Sequence, residues 1–309
     1  MPDFDFVYIN LDSATGRRQA LERSFAEAGF SPRWKFTRLS AVDIHSPLVK
    51  DKPGAQSGPY KGNYFSHLSC VGHYIDSPNH LYVSEDDQLF CNKTGPLAEA
   101  VIDALPEDGW DVVFPELTLL SAAHYPLFYK MATAVAAQGQ VRLLDLAPFP
   151  FPYVGSSAYI VNARSKRRFF QALAPTERMD HPYDICLRAS ILSGALRGYL
   201  CFPFLTSPSE YAHESQAPYG HADRADVSLD EKRIWQYQLD MLWLFKRFVW
   251  VGATDENVAA AFRNFHGLMS MSERDQRFIE LFGQMFSLQR NIDYNDHQML
   301  TFHTVGARY

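Results

Sequence analysis

Along the N-terminal part of the chain, apolar positions switch repeatedly between a period of two and a period near 3.6. Phe4–Leu11 (FDFVYINL) alternates and is rich in β formers, which predicts a first strand. Asp12–Gly16 reads as a turn. Leu21, Phe25 and Ala28 then recur at helical spacing, so Arg17–Ala28 is predicted helical and Gly29 ends it. Trp34–Leu39 predicts a second strand. Residues 46–63 hold three Pro and three Gly and read as a loop. Tyr64–Ile75 reads as helix and His80–Val83 as a third strand. Leu97–Leu105 is predicted helical, Trp110–Phe114 a strand, and Val141–Leu146 a candidate strand. Ser157–Asn162 reads as strand, Arg164–Leu173 as a basic helix, Tyr183–Leu192 as helix and Tyr199–Phe202 as a short strand. Alternation of this kind predicts an α/β domain with a mostly parallel sheet.

The pattern changes after the last of these strands. Residues 203–227 are rich in Pro, Ser, His and Ala and read as a loop or linker. Ser228 and Glu231 form a capping box ahead of a strongly apolar helix, Leu229–Val251. Thr254–Phe265 and Ser272–Gln289 read as two further helices. A boundary near residue 226 therefore divides an α/β domain, 1–225, from a helical C-terminal extension, 226–309. The long apolar helix has three readings: burial inside the molecule, a homodimer interface, or a membrane-surface contact in which Lys246 and Arg247 meet anionic headgroups.

Composition narrows the function. A formal net charge of −6 argues against a nucleic-acid partner. An anionic ligand then needs local Lys, Arg or a metal. Cys70, Cys91, Cys186 and Cys201 form no CxxC pair, which reads as free thiols in a reducing compartment. MPDFDFVYIN has no basic segment followed by an apolar one, and no apolar run reaches the ~18 residues of a membrane-spanning helix. The expected location is cytoplasmic, with a peripheral contact at the inner face of the membrane left open by the C-terminal helices.

The chemistry concentrates in Glu85-Asp86-Asp87, which follows the apolar Leu81-Tyr82-Val83. Adjacent carboxylates repel one another and cost free energy beside a core. At a strand end the backbone turns, and two of them can converge on one hard cation such as Mg²⁺ or Mn²⁺. The plain alternative is an exposed acidic turn after an edge strand.

Further segments join this one. Ile9-Asn10-Leu11-Asp12 with Arg17-Arg18, Gly62-Asn63-Tyr64-Phe65-Ser66-His67, Glu85-Asp86-Asp87, Trp110-Asp111-Val112-Val113, Ala158-Tyr159-Ile160-Val161 and Pro182-Tyr183-Asp184 stand in an order that resembles glycosyltransferase family 25. That family includes bacterial lipooligosaccharide galactosyltransferases and procollagen galactosyltransferases. The resemblance covers roughly residues 4–205. Asn63 stands where the family usually has Glu, Tyr64-Phe65 replace a Gly-Cys pair, Ala158 replaces a glycine, and Gln88 an aliphatic residue.

The resemblance implies a GT-A-like fold, a UDP-sugar donor, a divalent metal (Mn²⁺ or Mg²⁺) and a glycan or lipid-linked glycan acceptor. It implies metal coordination by Asp87 and Asp86, with His213 as a late metal ligand. Asn10, Asp12, Arg17 and Arg18 follow the first strand, where a helix N-terminus and a guanidinium suit a diphosphate or a uracil edge. Either arginine can equally be an exposed first-turn residue. Ser66 and His67 are placed to meet donor phosphate or acceptor hydroxyl, or His67 is a packed histidine. Glu85 faces the ribose, supports a basic neighbour, or is a solvated strand end. Asp184 is the candidate general base, or a carboxylate complementing a helix dipole.

The implied activity is inverting transfer of a hexose, galactose or glucose, from the UDP-sugar to an acceptor hydroxyl in surface-polysaccharide synthesis. The alternative is a non-catalytic GT-A-like binding or assembly module. A two-metal phosphohydrolase lacks a second carboxylate cluster in the sequence.

Overall fold

The computed structural model describes residues 2–175, 177–214, 241–259 and 302–303. β1 (Phe4–Asn10) leads through α1 (Thr15–Ala28) to β2 (Trp34–Ser40). The chain then passes through α2 (Pro47–Lys50) and α3 (Gly58–His73) into β3 (His80–Glu85). Next come β4 (Gln88–Leu89), α4 (Thr94–Asp103), β5 (Val112–Phe114), β6 (Thr118–Leu119), α5 (Tyr125–Ala137), β7 (Arg142–Asp145), β8 (Tyr153–Val154) and β9 (Ala158–Val161). α6 (Lys166–Ala172), α7 (Tyr183–Leu192), β10 (Gly198–Phe202) and β11 (Ser207–Pro208) follow, with a helix over 241–249 and β12 (Phe302–His303).

The α/β class holds, but the sheet is mixed. Its order is β12-β7-β10-β5-β9-β3-β1-β2. β2, β1 and β3 form a parallel leaflet, and β5 and β10 are parallel to each other. β9 runs antiparallel to both β3 and β5, and β7 antiparallel to β10 and β12. Strand direction is not written in an apolar run. It follows from the connection, and the unassigned residues 115–140 hold that connection. They contain β6, which pairs with β8, and α5. In α5, Tyr125, Phe128, Met131, Ala132 and Val135 are buried at helical spacing, with Pro126 in the first turn. Pro is tolerated there because its missing N–H has no helical acceptor.

β1 is buried on both faces, as a central strand must be. Val7 and Ile9 join the core on the side of α3, α5 and α7. Phe6 and Tyr8 join an aromatic core with α1 and α4. Phe25 of α1 stacks on Phe36 of β2, with ring centroids 3.9 Å apart. α1 ends at Gly29 in the left-handed region, φ 65°, as its sequence predicts.

The predicted loop over 46–63 is overturned in part. α3 begins at Gly58, six residues before Tyr64, with Pro59 in its first turn. Gly62 is a requirement of packing and not a break. A Cβ there would lie 2.5 Å from the Val42 carbonyl oxygen, so only glycine lets the helix approach residues 41–45.

The boundary near residue 226 lies outside the described residues, as does the helix expected over 272–289. The helix over 241–249 is described. Met241, Leu242, Leu244, Phe245 and Val249 belong to the same core as β1 and α3. Lys246 and Arg247 are buried as well, at 2% and 7% exposure, so neither is presented to a membrane surface. Among the described residues no helix is long and apolar enough to cross a membrane. The four cysteines are free thiols.

Candidate functional site

The parallel leaflet places the carboxyl ends of β1, β2 and β3 side by side, where ligands of open α/β sheets bind. A cleft of about 570 Å³ opens there, lined by Asn10, Asp12, Arg17, Ser66, Glu85 and Asp86 among the residues expected from sequence. Ala41–His45 and Pro59 form its other wall. Arg18, Asp87, His67, Asp184 and His213 do not line it.

β3 runs two residues beyond its predicted end, so Glu85 closes the strand and Asp86-Asp87 turn into β4. The three carboxylates therefore point to different partners. Glu85 Oε1 accepts from Asn63 Nδ2 at 3.0 Å and Ser156 Oγ at 3.2 Å, and pairs with His67 Nε2 at 3.1 Å. Burial alone would raise this carboxyl. His67, Asn63 and the charge of Arg17 outweigh it and bring the group down to about 2. Glu85 is thus a fixed anion in the cleft.

Asp86 accepts from Asn10 Nδ2 at 2.6 Å, and its other oxygen lies 2.5 Å from Arg17 Nη2. The same nitrogen stands 3.4 Å from Asp87 Oδ2. Burial raises both carboxyls, and Arg17 opposes the shift. Asp87 is carried up to about 7, because the charges of Glu85 and Asp86 add to its burial. Its Oδ1 is buried with no hydrogen-bond donor. Asp87 is also held through its backbone: Ser209 N donates to Asp87 O at 2.7 Å, and β11 pairs with β4.

Asn10 and Asp12 are organised by Arg38, which the sequence reading did not single out. Arg38 Nε donates to Asn10 Oδ1 at 3.1 Å, and its Nη2 bonds Asp12. Ser40 Oγ adds a bond to Asp12 at 2.7 Å. Of the two arginines, Arg17 turns to the acidic residues. Arg18 lies ~100° further round the helix, and its charge acts on Tyr8 and Asp12.

The fold gives His67 and Ser66 partners of their own. His67 is fully buried, with Nδ1 3.1 Å from the Tyr159 hydroxyl and its ring stacked on Tyr183 at 4.6 Å. It acts on Glu85 and touches no ligand space. Ser66 lines the cleft, but its hydroxyl donates to Gly62 O at 2.7 Å and accepts from Val42 N at 2.8 Å. That hydroxyl fastens α3 to the cleft wall. Asn63 sits one turn before His67 on the same face of α3. The i, i+4 spacing carried this signal, but the loop assignment of residues 58–63 hid it.

Asp184 opens α7, and its Oδ1 accepts from Ile185 N at 2.8 Å. Burial pushes its carboxyl up from the ordinary value, and the negative charge of Glu85 adds to this. It therefore stands within electrostatic reach of Glu85. His213 falls in the 3-10 turn Glu210–Glu214, just after the Ser209 contact to Asp87. Its side chain lies outside the described residues.

Behind the acidic turn sits a buried ion pair absent from the sequence reading. Glu116 has no exposed surface. It is bonded by Ser157 Oγ and paired with Lys246 Nζ, which also donates to Thr118 Oγ1 at 2.9 Å. Arg247 Nη2 donates to Pro208 O, and Trp250 Nε1 to Leu205 O at 3.1 Å. The helix over 241–249 thus supports the segment that holds Asp87.

Among the described residues no group of three or more His, Cys, Asp or Glu side chains is arranged as a metal cage. Mg²⁺-type ions, however, commonly use one or two carboxylates and complete their shell with substrate phosphates and water. Asp86 and Asp87 fit that demand in donor type. The carboxylates of residues 85–87 outnumber the Arg17 guanidinium, and Asp87 Oδ1 lacks a donor. The Trp110-Asp111 segment, by contrast, is structural. Asp111 is buried and accepts from Ser165 Oγ at 2.6 Å and Arg197 N at 2.7 Å. A scan against protein-family models and a search of curated proteins found no match to this chain.

Proposed function

We propose that the protein is an inverting glycosyltransferase of GT-A-like architecture that moves a hexose from a UDP-sugar to a glycan hydroxyl. One observation carries the reading. Asp86 lines a cleft large enough for a nucleotide beside Arg17, and the next residue, Asp87, holds a buried oxygen with no hydrogen-bond donor. An anionic diphosphate would not enter such an acidic cleft without a cation. Asp86 and Asp87 would hold a divalent metal, which when bound supplies positive charge to the departing diphosphate.

The chain's own residues account for the rest. Arg17 and the N-terminal turn of α1, which carries no acidic side chain, favour the diphosphate. Glu85, fixed by Asn63, His67 and Ser156, accepts from donor hydroxyls. The acceptor oxygen attacks the anomeric carbon as the bond to the diphosphate oxygen breaks. UDP leaves with that electron pair, and the acceptor proton passes to Asp184. A carboxyl raised by burial is the better base for this step. One displacement inverts the anomeric centre. The acceptor is a glycan or lipid-linked glycan.

The experiment is a panel of nucleotide sugars, scored for Mn²⁺-dependent thermal stabilisation and slow hydrolysis without acceptor. Selective stabilisation with hydrolysis supports the enzyme. Stabilisation with no hydrolysis or transfer would favour a binding module, and no stabilisation by any UDP-sugar would refute the proposal.

A further inference from the structure

Glu85 meets the cleft with one oxygen committed and the other open. Asn63 Nδ2, His67 Nε2 and Ser156 Oγ converge on Oε1 at 3.0, 3.1 and 3.2 Å. Among the described residues Oε2 accepts from no donor, and the side chain keeps 24% exposure in the cleft wall. Three bonds on one oxygen fix the carboxylate, so its charge cannot swing away from an arriving ligand. An open carboxylate oxygen accepts from a hydroxyl and repels another anion. A hexose offers it only hydroxyls, whereas a hexuronate brings a carboxylate of its own. The lining carries Asp12, Asp43, Glu85 and Asp86 against Arg17 and His45. A diphosphate adds further negative charge, so a divalent ion and both basic side chains still leave anions in excess. Arg38, which reaches Asn10 and Asp12, is bonded to both.

Resting on the nucleotide-sugar reading, we propose that Glu85 is the specificity-determining residue of the donor site, admitting neutral hexoses and excluding hexuronates. Selection works by repelling the wrong sugar as much as by bonding the right one. In that reading the hexose lies between the diphosphate, at Asp86 and Arg17, and the base Asp184. Glu85 adjoins Asp86 in the chain, and its charge reaches Asp184, so it stands beside the sugar end of the donor. Asn63 and Ser156 are positioning residues for this selection, because their bonds hold Oε1 and so aim Oε2.

The test compares Kd values for UDP-glucose, UDP-glucuronate and the uncharged UDP-glucuronamide, by calorimetry with Mn²⁺ near neutral pH, with the galacto series in parallel. The full chain should bind UDP-hexose at least ~10-fold more tightly than UDP-hexuronate, and the amide within ~3-fold of the hexose. Glu85→Gln keeps the shape and an acceptor for the three donors but loses the charge. It should narrow the hexose-to-hexuronate ratio by ~5-fold or more. The ratio cancels whatever Glu85 contributes to the UDP part that both ligands share. Asn63→Lys, which sets an ammonium beside the same carboxylate, serves if Glu85→Gln does not fold, and should narrow the ratio in the same direction. Asp43, on the opposite wall, accepts from His45 N and Ser46 N. Asp43→Asn should leave the ratio unchanged. Equal affinity of the parent for hexose and hexuronate overturns the inference alone. So does an amide as weak as the acid, an unchanged ratio in Glu85→Gln, or an equal shift in Asp43→Asn. A parent that binds neither UDP nor any UDP-sugar overturns the proposed function together with it.

Discussion

His67 Nε2 lies 3.1 Å from Glu85 Oε1, and the imidazole has no exposed surface. A carboxylate at the cleft is therefore oriented by a histidine that no ligand can reach. Its Nδ1 leads on to Tyr159 and from there to Tyr183, whose hydroxyls are 2.9 Å apart. Hydrogen bonds to a charged group are worth ~1.5–3 kcal/mol. His67→Phe keeps the stacked ring and removes the bond, so UDP affinity, read by calorimetry, should fall ~10-fold or more.

The same pair sets an acid limit on stability. Glu85 is held at about 2 against an ordinary value of 4.5, so the folded carboxylate stays charged where the unfolded one takes a proton. Its contribution is complete above 4.5 and fades as pH falls to about 2. His67→Phe should flatten the stability curve through that window. Denaturant titrations across it would show whether the curve changes.

Asp87 works in the opposite direction. Its folded carboxyl is raised from 3.8 to about 7, so the folded state binds a proton that the unfolded state releases. Stability should decline as pH rises across that interval. Asp87→Asn should remove the decline and raise Tm above neutral pH, while abolishing metal-dependent UDP binding. A melting series run against pH, paired with UDP titration, reads both effects. A variant that binds UDP with Mn²⁺ as well as the parent would exclude Asp87 from the metal site.

Asp184→Asn should lower turnover by ~10²–10⁴-fold with donor affinity nearly unchanged, as expected of a general base. Steady-state rates and UDP-sugar binding, measured separately, distinguish this from a donor contact. Equal losses in both would move Asp184 into the donor site.

Lys246→Met should cost ~3–5 kcal/mol, because it leaves Glu116 buried without its counter-ion. The double variant Glu116→Leu with Lys246→Met should recover most of that loss, since an apolar pair leaves no stranded charge. Urea unfolding of the parent, the single and the double variant completes the comparison.

The first half of the site was legible in the chain because each residue sat on a periodic element with a clear end. β1 delivers Asn10, α1 follows with Arg17, and β3 delivers Glu85 and Asp86. What sequence concealed were relations across the fold. Arg38 reaches Asn10 only because β2 pairs in parallel with β1, placing Arg38 opposite Tyr8. Glu116 and Lys246 are separated by most of a domain, and nothing local marks either as half of a pair. Arg247 and Lys246 carried a charge pattern that reads as surface, yet their partners are buried. The reversed direction of β9 depends on the long connection that holds α5, and nothing within Ala158–Val161 itself encodes a direction.

The ion pair between Glu116 and Lys246 also bears on the order in which a ribosome makes the molecule. When residue 214 has been added, the whole parallel leaflet and the acidic turn already exist as chain, but Glu116 still lacks its ammonium and the core still lacks Phe245. The support behind Asp87 cannot be complete until residue 250 has cleared the exit tunnel, where Trp250 can bond Leu205. Synthesis therefore includes a wait: the earlier segments must hold an uncompensated carboxylate, or stay open, until the helix over 241–249 arrives. A pause before residue 250 has cleared the tunnel would expose that state to proteases and chaperones, and a pause after it has cleared would not.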